Sequence, residues 1–137
     1  MSYSESMPTQ RPATIRLRTS LFHDAVAIVD AEYGSELALD DIARRVASSR
    51  RQLQRAFSEV GNTTFRDQLT RVRMDRAGEL LAHRGLTIRE VAHRVGYRQP
   101  AQFAKAFRRH HGTSPSTYRA RRPNGSDDGP RVAFEAV

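Results

Sequence analysis

Cysteine does not occur in the chain, which excludes disulfides, thiol nucleophiles and cysteine-ligated zinc. His23, His83 and His93 are scattered, and His110-His111 sit side by side on a helix where neighbouring rings point apart, so no metal site is expected. Asp40-Asp41 and Glu32 with Glu36 are accompanied by no nucleophile and no glycine-rich phosphate loop. They read as helix-start and solvated acids, and neither catalytic residues nor a cofactor are expected. No apolar run approaches a bilayer span, and Met1–Arg18 lacks the apolar centre of a signal peptide. A basic chain of this kind is expected in the cytoplasm beside nucleic acid, with no membrane partner. Carboxylates, finally, are missing from two long windows, Ile42–Ser58 and Val91–Arg122, both rich in arginine.

What is present is strongly basic. The 137 residues hold 23 Lys and Arg against 15 Asp and Glu, a net charge of +8 and a pI of about 11.1. An anionic polymer is the first partner to consider, and the length allows one domain or two very small ones. The stretch Leu86–Arg119 organises the rest. Ile88, Val91, Ala92 and Val95 recur at i, i+3, i+4, i+7, so they line one face of a helix. Thr87 with Glu90 forms a capping-box pattern, and Gly96 suits the positive φ that ends such a helix. Phe103 and Phe107 give a second helix one inward stripe, which turns Arg98, Ala101, Lys105 and Arg108 outward. This is the layout of a helix-turn-helix that offers its second helix to a major groove.

Taken in order, residues 1–17 carry Pro8 and Pro12 without sustained periodicity and read as a flexible arm. Ser20–Tyr33 is an amphipathic helix closed by Gly34. Asp40 and Asp41 open a helix with Ile42, Ala43 and Val46 inside; Ala47-Ser48-Ser49 turns, and Ser49 caps a helix with Leu53 and Phe57 inside. Thr64–His83 is a longer helix burying Phe65, Leu69, Val72, Ala77, Leu80 and Leu81, with Arg73 among its polar positions. At about 1.5 Å per residue it is a spacer of roughly 30 Å. The resulting division is a first helix-turn-helix subdomain over 18–63, a linker helix over 64–83, a second subdomain over 84–122 and a flexible tail over 123–137. The fold class is all-α with about seven helices.

The two helical pairs are copies of one another. Ile42, Ala43, Arg45 and Val46 match Val91, Ala92, Arg94 and Val95 at an offset of 49, and Leu53, Arg55, Ala56 and Phe57 match Phe103, Lys105, Ala106 and Phe107 at 50. Reading helices held about 34 Å apart enter successive major grooves on one face of a duplex. Since the halves differ, the preferred site is expected to be asymmetric.

Ile88-x-x-Val91-Ala92-x-x-Val95-Gly96-Tyr97, Phe103-x-x-x-Phe107-Arg108 and Gly112-Thr113-Ser114-Pro115-x-x-Tyr118-Arg119 resemble the signature of the AraC/XylS family of bacterial transcription regulators. The run Arg71-Val72-Arg73-Met74-Asp75-Arg76-Ala77-x-x-Leu80-Leu81 is similar to that family's linker, and the likeness covers about Leu37–Arg119. Ala47 and Asn62 stand where the family commonly has glycine, Phe65 where it often has proline and Gln68 where it often has an aromatic. Ala47 therefore predicts a slightly different turn in the first unit. The resemblance implies a transcription regulator of double-stranded promoter DNA. No stretch is long enough for the effector-sensing domain that many members carry, so the chain is similar to the short free-standing members, which bind as monomers and activate beside RNA polymerase.

Base reading is expected from Arg51, Gln54 and Arg55 in the first unit and from Arg98, Gln99, Gln102 and Lys105 in the second, since Arg bridges guanine O6/N7 and Gln bridges adenine N6/N7. Ala101 and Ala104 offer only methyl contacts. Phosphate contacts are expected from Ser49, Arg50, Arg108, Arg109, Arg119 and Arg121. Two alternatives stand beside this reading: an architectural DNA-coating protein, and the DNA-binding fragment of a longer effector-responsive regulator.

Overall fold

The computed structural model describes residues 11–83 and 85–121. The first ten residues of the expected arm, Arg84, Arg122 and the tail 123–137 lie outside the described residues. Among those described there are seven α-helices and no strand: α1 Pro12–Glu32, α2 Leu39–Arg45, α3 Arg50–Glu59, α4 Phe65–Leu81, α5 Ile88–Arg94, α6 Pro100–His111 and α7 Pro115–Arg121. They form two compact units, one of residues 11–31 and 37–68, the other of 32–36, 69–83 and 85–121. The division falls within α4 rather than on either side of it, and the short loop after α1 belongs with the second unit.

α1 begins at Pro12, eight residues ahead of Ser20 and inside the segment read as an arm. Proline costs nothing in a first helical turn, where its missing N–H would have no partner. Leu21, Ala25 and Val29 are the residues α1 buries, four apart in sequence. Its earlier turns leave Ile15 and Leu17 about half exposed. Arg18, on the same turns, pairs with Glu59 at the end of α3.

In the first unit Ile42, Leu53 and Ala56 are fully buried and Phe57 nearly so. Phe57 meets Phe22 edge-on at 5.4 Å and Phe65 at 6.1 Å, an arrangement that suits the ring quadrupoles. A Cβ at Gly61 would lie 2.3 Å from the Phe22 ring, so any other residue there must displace that ring. The second unit buries Met74, Ala77, Leu81, Val91, Ala92, Val95, Phe103 and Phe107, with Tyr97 and Tyr118 packed against them.

The turns between paired helices are alike. Tyr97 N–H donates to Ala92 carbonyl oxygen at 2.9 Å, and Ser48 N–H donates to Ala43 at 2.8 Å. Gly96 has φ +97° and Ala47 φ +55°. The different turn expected at Ala47 is thus not found: alanine takes the left-handed conformation that glycine takes in the other copy. Asn62 (φ +51°) and Gly112 (φ +81°) repeat the correspondence after the second helices.

α4 is shorter than Thr64–His83, and it is more than a spacer. Met74, Ala77 and Leu81 are at most 1% exposed and form one wall of the second core. Met74 was not among the expected buried positions, and Val72 and Leu80 are only partly covered.

Candidate nucleic-acid interface

In the first unit Leu53, Ala56 and Phe57 fix which side of α3 faces inward, and Arg51, Gln54 and Arg55 all stand exposed on the remainder. One turn separates Arg51 from Arg55, so their guanidiniums project from a common ridge. Ser49 is the N-cap of α3 and accepts from Gln52 N–H at 3.1 Å, which leaves its hydroxyl hydrogen free to donate to a phosphate. Arg50 pairs with Asp40 at 3.2 Å across an exposed surface. Such a pair contributes little in water and is readily given up to a more highly charged partner. Arg50, Gln54 and Ser58 also wall a cleft of about 510 Å³ floored by Phe57.

In the second unit Phe103 and Phe107 are buried, and Ala101, Gln102, Lys105, Arg108 and Arg109 are exposed along α6. Gln99 is the N-cap and Pro100 the first residue of the helix. Arg98 lies just ahead of them with its side chain 84% exposed, 3.8 Å from Glu36. Ala104, expected to offer a methyl, is partly covered. Arg121 is exposed at the end of α7. A cationic cleft of about 400 Å³ lies between α5 and the start of α6, lined by Arg89, His93, Arg94, Tyr97 and Arg98 among others. Arg89, His93 and Arg94 were not among the residues expected to meet DNA. The carboxylate-free window beginning at Val91 was the available signal for His93 and Arg94, and Arg89, beyond Glu90, lies outside it.

A helix-turn-helix domain model matches residues 42–121, more than half of the chain. The fold is similar to that of a Chromobacterium violaceum regulator described as having an AraC-type DNA-binding domain, with a TM-score of 0.71 and 28% identity over 77% of this chain and 94% of that one. The chain belongs to the AraC family of transcription regulators. Among AraC-type solved structures, the DNA-binding domain of AdpA, determined in complex with a target DNA, is similar at a TM-score of 0.68, with 30% identity over 72% of this chain and 89% of that one. In sequence the chain is 36% identical to the Msm operon regulatory protein of Streptococcus mutans, over 67% of this chain and 33% of that protein. It spans about a third of the length of the curated relatives it matches. The family and these relatives are transcription regulators, not enzymes.

Within this AraC-family domain two arginines depart from the roles expected of them. Arg119, expected at a phosphate, instead donates from Nε to Leu81 carbonyl oxygen at 2.9 Å and from Nη2 to His83 at 3.2 Å. Leu81 is the last residue of α4, where carbonyls lack intrahelical partners and the dipole is negative, so a guanidinium is well placed there; the His83 oxygen, just beyond, also accepts from Leu86 N–H at 3.1 Å. Arg73, expected only as one of the polar positions of α4, is half-buried. It donates from Nε to Tyr33 carbonyl oxygen at 2.7 Å and from Nη2 to Ser35 at 2.9 Å. Burial draws its pKa down from the ordinary guanidinium value, opposed by the Tyr97 phenol. The histidine pair also differs from expectation: the two rings lie 4.7 Å apart, and both turn towards α4. His110 Nε2 is 2.9 Å from Asp75, and His111 Nε2 donates to Met74 carbonyl oxygen at 2.8 Å. No helix among the described residues is long and apolar enough to cross a membrane.

Proposed function

We propose that the chain is a sequence-specific regulator that binds promoter DNA as a monomer, with α3 and α6 in successive major grooves of an asymmetric site. The observation that carries this reading is the pair of helix-turn-helix units with exposed, cationic but non-identical second helices: Arg51, Gln54 and Arg55 as readers on one, Gln102 and Lys105 on the other, with Arg108 beside them at the phosphates. Arginine and glutamine are the side chains that discriminate guanine and adenine edges. Ser49, Arg50, Arg109 and Arg121 serve the phosphates, joined by Arg89 and Arg94 from the cationic cleft. Activation through contact with RNA polymerase and residence on the nucleoid complete the proposal; the relative named the lactose operon transcription activator of Staphylococcus xylosus supports the activating role.

In vitro selection from a random duplex library tests it. The expected product is a consensus of two unlike blocks separated by one helical turn, about 10–10.5 base pairs, bound by one chain in analytical ultracentrifugation. Uniform binding without a consensus returns the protein to the architectural class, and a palindromic consensus bound by two chains rejects the monomer. A reporter driven by the selected site then reads activation or repression directly.

A further inference from the structure

Arg73 joins α4 to two other segments of the second unit. Its two hydrogen bonds hold the carbonyls of Tyr33 and Ser35 in the loop after α1. Its guanidinium carbon lies 5.7 Å from the centre of the Tyr97 ring. It also fills the space beneath Gly96, where a Cβ would sit 2.9 Å from Cζ. Both segments that it touches lead directly to Arg98. Gly96-Tyr97 is the backbone immediately before Arg98, and Glu36, next to Ser35, is the carboxylate facing Arg98 at 3.8 Å. A planar fork that bonds two carbonyls while stacking on a ring defines a direction as well as a distance, which a flexible ammonium cannot do.

From this geometry we propose that Arg73 is a positioning residue for DNA reading by the second unit, setting the entry of α6 and the reach of Arg98 without touching DNA itself. The inference rests on α6 being a reading helix. Loss of the fork leaves two carbonyls without their donor and a gap under the turn that aims α6. Small displacements of a bidentate side chain at a base edge abolish its discrimination, whereas the fold, held by the apolar core, persists.

The test uses the whole chain and duplexes in which each base pair of the selected two-block site is varied in turn. Arg73→Lys keeps the charge and is expected to lose at least tenfold in discrimination at the block read by the second unit, with the other block unaffected. Leu80→Ala, a core truncation in the same unit, controls for stability and is expected to keep discrimination in both blocks wherever it is folded by circular dichroism. If Arg73→Lys preserves second-block discrimination, or loses no more than Leu80→Ala, the proposal is overturned. Should Arg73→Lys fail to fold, Gly96→Ala presses a methyl onto the guanidinium and is read the same way, with intact second-block discrimination again counting against the proposal. A wild-type chain without any two-block preference would instead reject the DNA-reading assignment itself, and this inference with it.

Discussion

Ala47 and Gly96 occupy the same place in two copies of one turn, yet only one of them is free of a Cβ. A left-handed conformation costs a non-glycine residue about 1–2 kcal/mol, so Ala47→Gly is expected to raise stability by roughly 1 kcal/mol in urea unfolding. Gly96→Ala has the opposite sign, because it adds that cost to a methyl 2.9 Å from Arg73. At the base edges, Arg55→Ala is expected to weaken a cognate duplex by about 1–3 kcal/mol and a scrambled one much less, while Arg108→Ala weakens both alike and lowers the salt slope by about one unit. Fluorescence anisotropy on the two duplexes separates these outcomes, and equal losses for Arg55→Ala would remove it from the reading face. The exposed faces of α3 and α6 were legible because a period of 3.6 and two phenylalanines decide which side of a helix faces out. Arg73 and Arg119 were not, because their partners are backbone carbonyls 40 and 38 residues away in sequence, and a carbonyl carries no signature in side-chain chemistry.

Among the helices, α5 is the most completely specified by its own sequence. Thr87 accepts from Glu90 N–H at 3.0 Å and Glu90 accepts from Thr87 N–H at 2.7 Å, the reciprocal pair that the Thr-x-x-Glu spacing predicts. Thr87→Ala is expected to cost about 1 kcal/mol, read as a lowered urea midpoint. The hydrogen bond from Thr87 backbone, then that from its side chain, holds the Glu90 carboxyl below its ordinary value, with Arg94 assisting. A carboxylate whose folded pKa is depressed adds stability above the unfolded value and loses it as pH falls through the folded one. Acid should therefore loosen the start of α5 from the ordinary carboxylate range downward. Glu90→Gln keeps an acceptor for Thr87 N–H, so it should flatten that acid dependence with little change at neutral pH; an unchanged acid limb in the variant would show that other carboxylates carry it. α1 and α4 were harder to read. The early turns of α1 bury little, and Arg18 on them pairs with Glu59, 41 residues away in sequence. α4 serves one core with its first turn and another with the rest, so Gln68 and Met74 are both buried although no single apolar stripe contains them.

On the scale of the whole molecule, each helix-turn-helix unit has its own core, centred on Phe57 in one and Phe107 in the other. Truncating either to alanine should cost about 3–5 kcal/mol. Hydrogen exchange is expected to accelerate chiefly within the truncated unit, and uniform acceleration would mean that the units open as one. The duplication itself was visible in sequence as matched residues at offsets of 49 and 50, whereas the place where the chain divides was not, since one helix is shared. That shared helix sets the sharpest requirement on the proposed binding mode. α4 has 17 residues and so measures about 25 Å. Five base pairs inserted between the two blocks would turn the second block to the opposite face, and a single chain should then bind no better than to one block alone. Ten inserted base pairs restore the face but add about a full helical pitch, a distance that a helix of this length does not span, so affinity should stay low. Two chains bound independently would tolerate both insertions, and that tolerance, measured by gel shift, would defeat the reading of both grooves by one chain.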